Sequence, residues 1–338
     1  MLSLNVLDQI PVFQGSSPQA AVRESVQLAA AAEDLHFKGF WIAEHHGDSS
    51  RACASPAVLL AAVASHTNTM RIGAGCILLP YASPLRVAED FRMLLALAPA
   101  RIDLGVGNGM GATAAAREAL QGASNSEPVT YAKQIQELTK LLAVKPQIMD
   151  PLAVPVVGEE PEIWVMASGM RSALVAAALG LPLSLAHFIS GESAWMAAAA
   201  YREAFVASKV CSAPRISLAV RVTCADTREE AEVLGNCFWV PASEGLHPTA
   251  FLRSTPRFAT GYPSKEDVRG HVVTADELHF RTINKHLNIV GDVEEVGNHL
   301  EMLARRYQTD EVTVTTTCPD LRARIRMYQL LSEHLGLS

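Results

Sequence analysis

Short runs of consecutive apolar residues alternate with amphipathic stretches along the whole chain, and this rhythm leaves few folds open. Leu2–Leu7 is the first such run, and it leads to Ala20–Leu35, where apolar positions fall at helical spacing. The same pair recurs with Gly39–Ala43 before Ala57–Ser65, Arg71–Leu79 before Leu85–Leu97, and Arg101–Val106 before Thr113–Leu120 and Tyr131–Leu142. Further on, Glu162–Ala167 precedes Ser172–Ala178, Leu183–Phe188 precedes Glu192–Ala207, and Arg215–Thr223 precedes Thr227–Leu234. Glu311–Thr316 and Asp320–Leu335 close the series. Ser55-Pro56 and Ser83-Pro84 mark two helix starts, because proline has the φ of a first helical residue and lacks only an N–H the helix would leave unused.

Eight strands, each followed by helix and apolar along nearly their full length, read as parallel strands covered on both faces. A single (β/α)8 (TIM) barrel over residues 1–338 is the economical architecture, with a doubly wound open sheet as the alternative because strand count does not impose closure. The proline-rich stretch 236–288, between strands 7 and 8, reads as an inserted lid over the barrel mouth.

Composition narrows the function. Of 338 residues 49% are hydrophobic and 19% charged, which calls for a large core and excludes disorder. Uninterrupted apolar stretches such as Ala173–Leu179 fall well short of the ~18 residues of a membrane span. A net charge of −7 offers no basic field, so neither nucleic acid nor a membrane is expected as a partner. Six scattered cysteines without a C-x-x-C pair, and a beginning without a basic-then-apolar leader, point to a reduced, cytoplasmic protein.

In a barrel, reactive groups sit where strands end. Strand 2 ends in Glu44-His45-His46, and alternation allows only one of the histidines to face inward. His45 is either a structural histidine or a proton-transfer group beside a carboxylate, while metal binding is disfavoured because adjacent strand residues diverge. Strand 3 carries Gly73, Gly75 and Cys76; the cysteine reads more readily as a small hydrophobe than as a nucleophile. Strand 4 leads into Gly107-Asn108-Gly109, either a loose dinucleotide fingerprint or a flat shelf for an aromatic ring. After strand 5, Ser168-Gly169-Met170-Arg171-Ser172 opens onto a helix, either as an ordinary cap or as an anion site of backbone N–H groups, hydroxyls and Arg171. Neither G-x-S-x-G nor G-x-x-x-x-G-K-[ST] occurs, so hydrolase and nucleoside-triphosphatase chemistry recede.

Read in order, Leu7-Asp8-Gln9, Phe40-Trp41-Ile42-Ala43-Glu44-His45-His46, Arg71-Ile72-Gly73, Ser83-Pro84-Leu85-Arg86, Arg101-Ile102-Asp103 and Gly180-Leu181-Pro182 resemble the bacterial luciferase-like flavin monooxygenases, and within them the single-chain branch. The likeness continues to Ile289-Val290-Gly291-Asp292 and Asp310–Thr316. It implies a barrel that binds FMN at its mouth, takes it reduced from a separate NAD(P)H:flavin reductase, and uses O2 to oxidise a small aromatic or lipophilic substrate, as a homodimer packed through its second and third helices. By position, His45 is the implied catalytic histidine. Gly75 and Cys76 are the bulged pair behind the isoalloxazine, often joined by a cis peptide, with Cys76 also counted among the catalytic residues. Ser168, Gly169 and Ser172 form the turn that holds flavin edge and phosphate. Asn108 stands where the family carries arginine, and Gly169 where serine is common; Lys133 and Arg171 are the cations placed to compensate, and weak FMN affinity follows from the departure. A deazaflavin-dependent dehydrogenase on the same barrel and a non-catalytic flavin-binding protein are the alternatives. Phe238, Trp239, Phe251, Phe258 and Tyr262 of the 236–288 stretch would give the pocket an apolar lining.

Overall fold

A computed structural model of the chain describes residues 2–109, 111–121, 130–144, 150–245 and 261–337. Eight parallel strands close on themselves: β1 (Ser3–Asp8), β2 (Gly39–Ile42), β3 (Arg71–Leu78), β4 (Ile102–Gly107), β5 (Glu162–Ala167), β6 (Leu183–Ala186) and β7 (Ile216–Ala225) pair in chain order, and β9 (Glu311–Thr315) joins β7 to β1. Closure decides for the barrel over the open sheet. The helices between strands stack their apolar faces on it; in α1 (Pro18–Asp34), Ala21, Ser25, Leu28, Ala29 and Ala32 form the buried stripe at the 3–4-residue spacing of a helix face.

A ninth strand and the helix after it are among the elements not foreseen. β8 (Ile289–Asp292) pairs with the last residues of β7, Val222–Ala225, beyond the part of β7 that pairs with β9. It feeds a helix, Val293–Arg306, in which Asp292 and Glu295 form a reciprocal capping box and Val296, Leu300, Leu303 and Ala304 are buried. The helix expected over Thr227–Leu234 runs instead from Arg228 to Gly245 with Pro241 inside it, so residues 236–245 of the expected lid are helical. In this region Cys237, Phe238, Trp239 and Val240 pack with Phe13, Tyr262, Val268 and Leu287. Phe251 and Phe258 lie outside the described residues.

Side chains alternate across each strand, so the inward set can be read directly. Leu7, Trp41, Ala43, Trp164, Phe188 and Ala219 form a plug in the barrel interior, with the two indoles edge to face at 5.6 Å. Below it lies a polar floor. Asp103 Oδ1 takes Arg71 and its Oδ2 accepts Trp41 Nε1 at 3.0 Å. Glu311 binds Lys38 at 2.8 Å, Arg215 at 3.2 Å and Asn5 Nδ2 at 3.1 Å, while Arg215 also pairs with Glu162.

Candidate active site

The mouth is built from the opposite strand ends. Past β2, whose Trp41 faces inward together with Ala43, His45 is half-buried, with its backbone N–H bonded to Cys53 O at 2.9 Å. Glu44 turns the other way: Oε1 lies 2.6 Å from His46 Nε2, and Oε2 accepts the Leu78 N–H at 3.0 Å. The carboxylate next to the histidine pair therefore serves His46. Burial pushes Glu44 above the usual carboxylate range, against the opposing pull of His46 and the Leu78 N–H. The acid that feels His45 is Asp48. Burial alone would raise Asp48, but Arg51, the Ser50 hydrogen bonds and His45 outweigh it and hold the carboxyl below its ordinary value. Arg51 links onward from Asp48 (2.5 Å) to the Tyr262 hydroxyl at 3.0 Å, tying the β2 loop to the inserted region.

β3 breaks register between Ala74 and Ile77, and the peptide between Gly75 and Cys76 is cis. A Cβ on Gly75 would come within 2.8 Å of Leu7 Cδ1 and 3.2 Å of Trp41 Cβ, and one on Gly107 within 2.2 Å of Cys76 Sγ. These glycines are required by close packing behind the bulge. Gly109 and Gly169 differ, for nothing lies within 4 Å of where their Cβ would be. Cys76 keeps some surface toward the mouth, yet burial first, and Glu44 second, push its thiol up to about 12. At neutral pH it is protonated, a neutral wall with little thiolate character.

Ser168 is exposed at the end of β5, and its carbonyl accepts the Ser190 hydroxyl. The helix that follows, Met170–Leu179, starts from Gly169 without a side-chain cap, so its first N–H groups face the rim unsatisfied by any side chain. Arg171 is exposed and Ser172 half-buried within that first turn. Asn108 is exposed past the end of β4, the strand next to β5; Lys133 is exposed in the first turn of helix Tyr131–Leu142.

Sequence reasoning missed Arg221. It is the single charge in the otherwise apolar or neutral strand Ile216–Ala225, which was the available signal. Two residues past Ala219 of the plug, it faces the interior at 5% exposure, with its guanidinium between the rings of Phe188 (4.7 Å) and Phe238 (4.5 Å). Nη1 donates to Leu287 O at 3.0 Å. Burial, and less so Arg51, draw it down to about 10 against the pull of Tyr262, so it remains a cation at neutral pH.

A cavity of about 550 Å³ at the floor end, lined by Pro214, Arg215, Glu301, Arg305 and Asp310 among others, holds none of these groups. No cluster able to hold a metal occurs among the described residues, and none of their helices is long and apolar enough to cross a membrane.

A closed parallel barrel with a histidine, a bulged strand, open glycines and an uncapped helix start on its carboxyl-terminal rim defines a barrel enzyme that works at its mouth. The chain belongs to the luciferase-like monooxygenase family, which it matches over residues 3–309. It is 38% identical to the uncharacterized protein YwcH of Bacillus subtilis, over 98% of this chain and 99% of that one. Among solved structures it resembles apo-MsnO8 at 31% identity and a TM-score of 0.88, covering 100% of this chain and 98% of the other. The FMN complex of the oxygenating constituent of 3,6-diketocamphane monooxygenase from Pseudomonas putida shares the fold at 20% identity and a TM-score of 0.71, with 98% of each chain covered.

Proposed function

We propose that this enzyme is a two-component monooxygenase that receives reduced FMN from a separate reductase and uses O2 to oxidise a small organic substrate. The observation that carries the reading is the uncapped start of helix Met170–Leu179. Backbone N–H groups, the Ser172 hydroxyl and Arg171, beside open Gly169, fit a phosphate in chemistry and in room. The Gly75–Cys76 bulge two strands away fits the flavin ring, backed by a thiol that stays neutral and so does not attack it. When bound, reduced FMN supplies the electron pair that activates dioxygen, one oxygen atom passing to the substrate and the other leaving as water.

The chain's own residues then bind, orient and exclude water. In this reading His45, at the end of β2, holds or moves a proton at the reacting centre, its ring influenced by Asp48. Phe238, Trp239 and Tyr262 supply an apolar wall, and the inserted region acts as a lid that keeps water from the site. With Asn108 in place of a cation, backbone and hydroxyls carry most of the phosphate binding, which suits a flavin that arrives and leaves with each turnover. Exposed Val58, Met93 and Leu97 on the second and third helices support a homodimer through that face.

Titration of the protein with reduced FMN and reduced riboflavin under nitrogen tests the phosphate site. Ser172→Asp places a like charge there and is expected to weaken FMN about tenfold or more while leaving riboflavin unchanged. Equal losses for the two, or no FMN binding by the wild type, would remove the reading. A parallel titration with oxidised deazaflavin separates the dehydrogenase alternative, which requires hydride transfer without oxygen.

A further inference from the structure

We propose that the substrate of this site carries a carboxylate, held at the barrel mouth by Arg221 with help from Thr315. The inference rests on the reading above, and names the anion that the site is built to take.

Arg221 is a buried cation with no carboxylate partner among the described residues. Its one hydrogen bond there is from Nη1 to the Leu287 carbonyl, and buried Nε has no acceptor, which leaves the Nε–Nη2 edge open. That edge is the one by which a guanidinium takes both oxygens of a carboxylate. The rings of Phe188 and Phe238 cover its two faces, so the cation can be approached only in the plane of its N–H groups. On the adjoining strand, Thr315 is the direct register partner of Arg221. It lies two residues past Thr313, whose hydroxyl bonds Ser217 at 2.9 Å, and so faces the same way; its own hydroxyl is buried without a partner. A guanidinium edge and a hydroxyl, on register-paired residues of adjoining strands and both unsatisfied, are the donors a carboxylate uses.

The position assigns this anion to the substrate. The proposed flavin contacts occupy β3 to β5, whereas Arg221 and Thr315 stand on β7 and β9, across the interior. An unpaired buried cation is costly to a fold unless something completes it. The flanking phenylalanines add a preference for acids with an apolar body.

Isothermal titration of the full chain, with and without saturating FMN, decides the matter using benzoate, 3-phenylpropionate and 4-phenylbutyrate against their primary amides. At least one acid is expected to bind about tenfold more tightly than its amide. Arg221→Met should abolish that preference and Thr315→Val should reduce it about threefold, with FMN affinity unchanged in both. The proposal falls if no acid outbinds its amide in the wild type, or if Arg221→Met retains the preference. It falls equally if Arg221→Met weakens FMN by a comparable factor, since the guanidinium would then serve the flavin. Should Arg221→Met not fold, an undiminished preference in Thr315→Val overturns the proposal by itself. Failure of the flavin reading looks different: no FMN binding, with the preference for acids intact.

Discussion

At the floor of the barrel the buried carboxylates are matched: Asp103 with Arg71 and the Trp41 N–H, Glu311 with Lys38, Arg215 and Asn5. At the mouth end of the same barrel, Arg221 Nε and the Thr315 and Thr317 hydroxyls are buried without partners. Both ends belong to the same strands and flank the same indole-rich plug, so the difference is not one of architecture. Leaving a polar group dry and unbonded costs about 1–3 kcal/mol, which a fold tolerates where a ligand completes the bonds. The floor spends its charges on holding the strands together; the mouth keeps its own open for what binds there.

The contrast is broken most severely at the floor. Arg71→Leu leaves the buried Asp103 carboxylate with only the Trp41 N–H, and should cost about 3 kcal/mol in urea unfolding. Paired glycine substitutions come next. A Cβ on Gly105 meets the Ala74 carbonyl oxygen at 2.3 Å, and Gly105→Ala should cost about 2 kcal/mol, whereas Gly169→Ala, with open space, should change stability by less than about 0.5 kcal/mol.

Glu311 gives the pH test. Burial alone would raise it, but Lys38 and Arg215 outweigh burial and hold it below the ordinary range. A carboxylate lowered in the fold contributes stability that is present above its unfolded value of about 4.3 and lost as pH falls through the folded one. Glu311→Gln should therefore be less stable by about 1–2 kcal/mol at pH 7, with the gap from wild type narrowing below about pH 4 in acid-unfolding curves. The smallest effect sharpens the comparison from the other end. Arg221→Met removes an uncompensated cation and keeps its apolar bulk, so thermal melting without ligand should be unchanged or slightly higher. A loss of several degrees would place Arg221 with the floor residues instead.

The barrel was legible because its information is local. Continuous apolar strands, Ser-Pro helix starts at Pro56 and Pro84, and the outlying β9 all announce themselves in short windows. At those two starts the hydroxyls of Ser55 and Ser83 cap nothing, and the prolines alone mark the boundary. The strand at Ile289–Asp292 was lost for brevity, and the helix after it although the Asp292–Glu295 box and the spacing Val296, Leu300, Leu303 were in view. The site was legible only in outline. Alternation allows only one histidine of the pair inside, but that Glu44 serves His46 goes with a bond to Leu78, 34 residues away. Arg221 becomes conspicuous only when the rings of Phe188 and Phe238 close around it, and those come from separate parts of the chain.

The central claim is that the mouth handles reduced flavin in the presence of oxygen. Stopped-flow mixing of an anaerobic protein–reduced FMN solution with oxygenated buffer, followed by flavin absorbance, tests it directly. Oxidised flavin is expected to return markedly more slowly than from reduced FMN free in solution, and His45→Ala is expected to change this rate while leaving FMN affinity intact. Return at the free-flavin rate, with protein in excess, would contradict it.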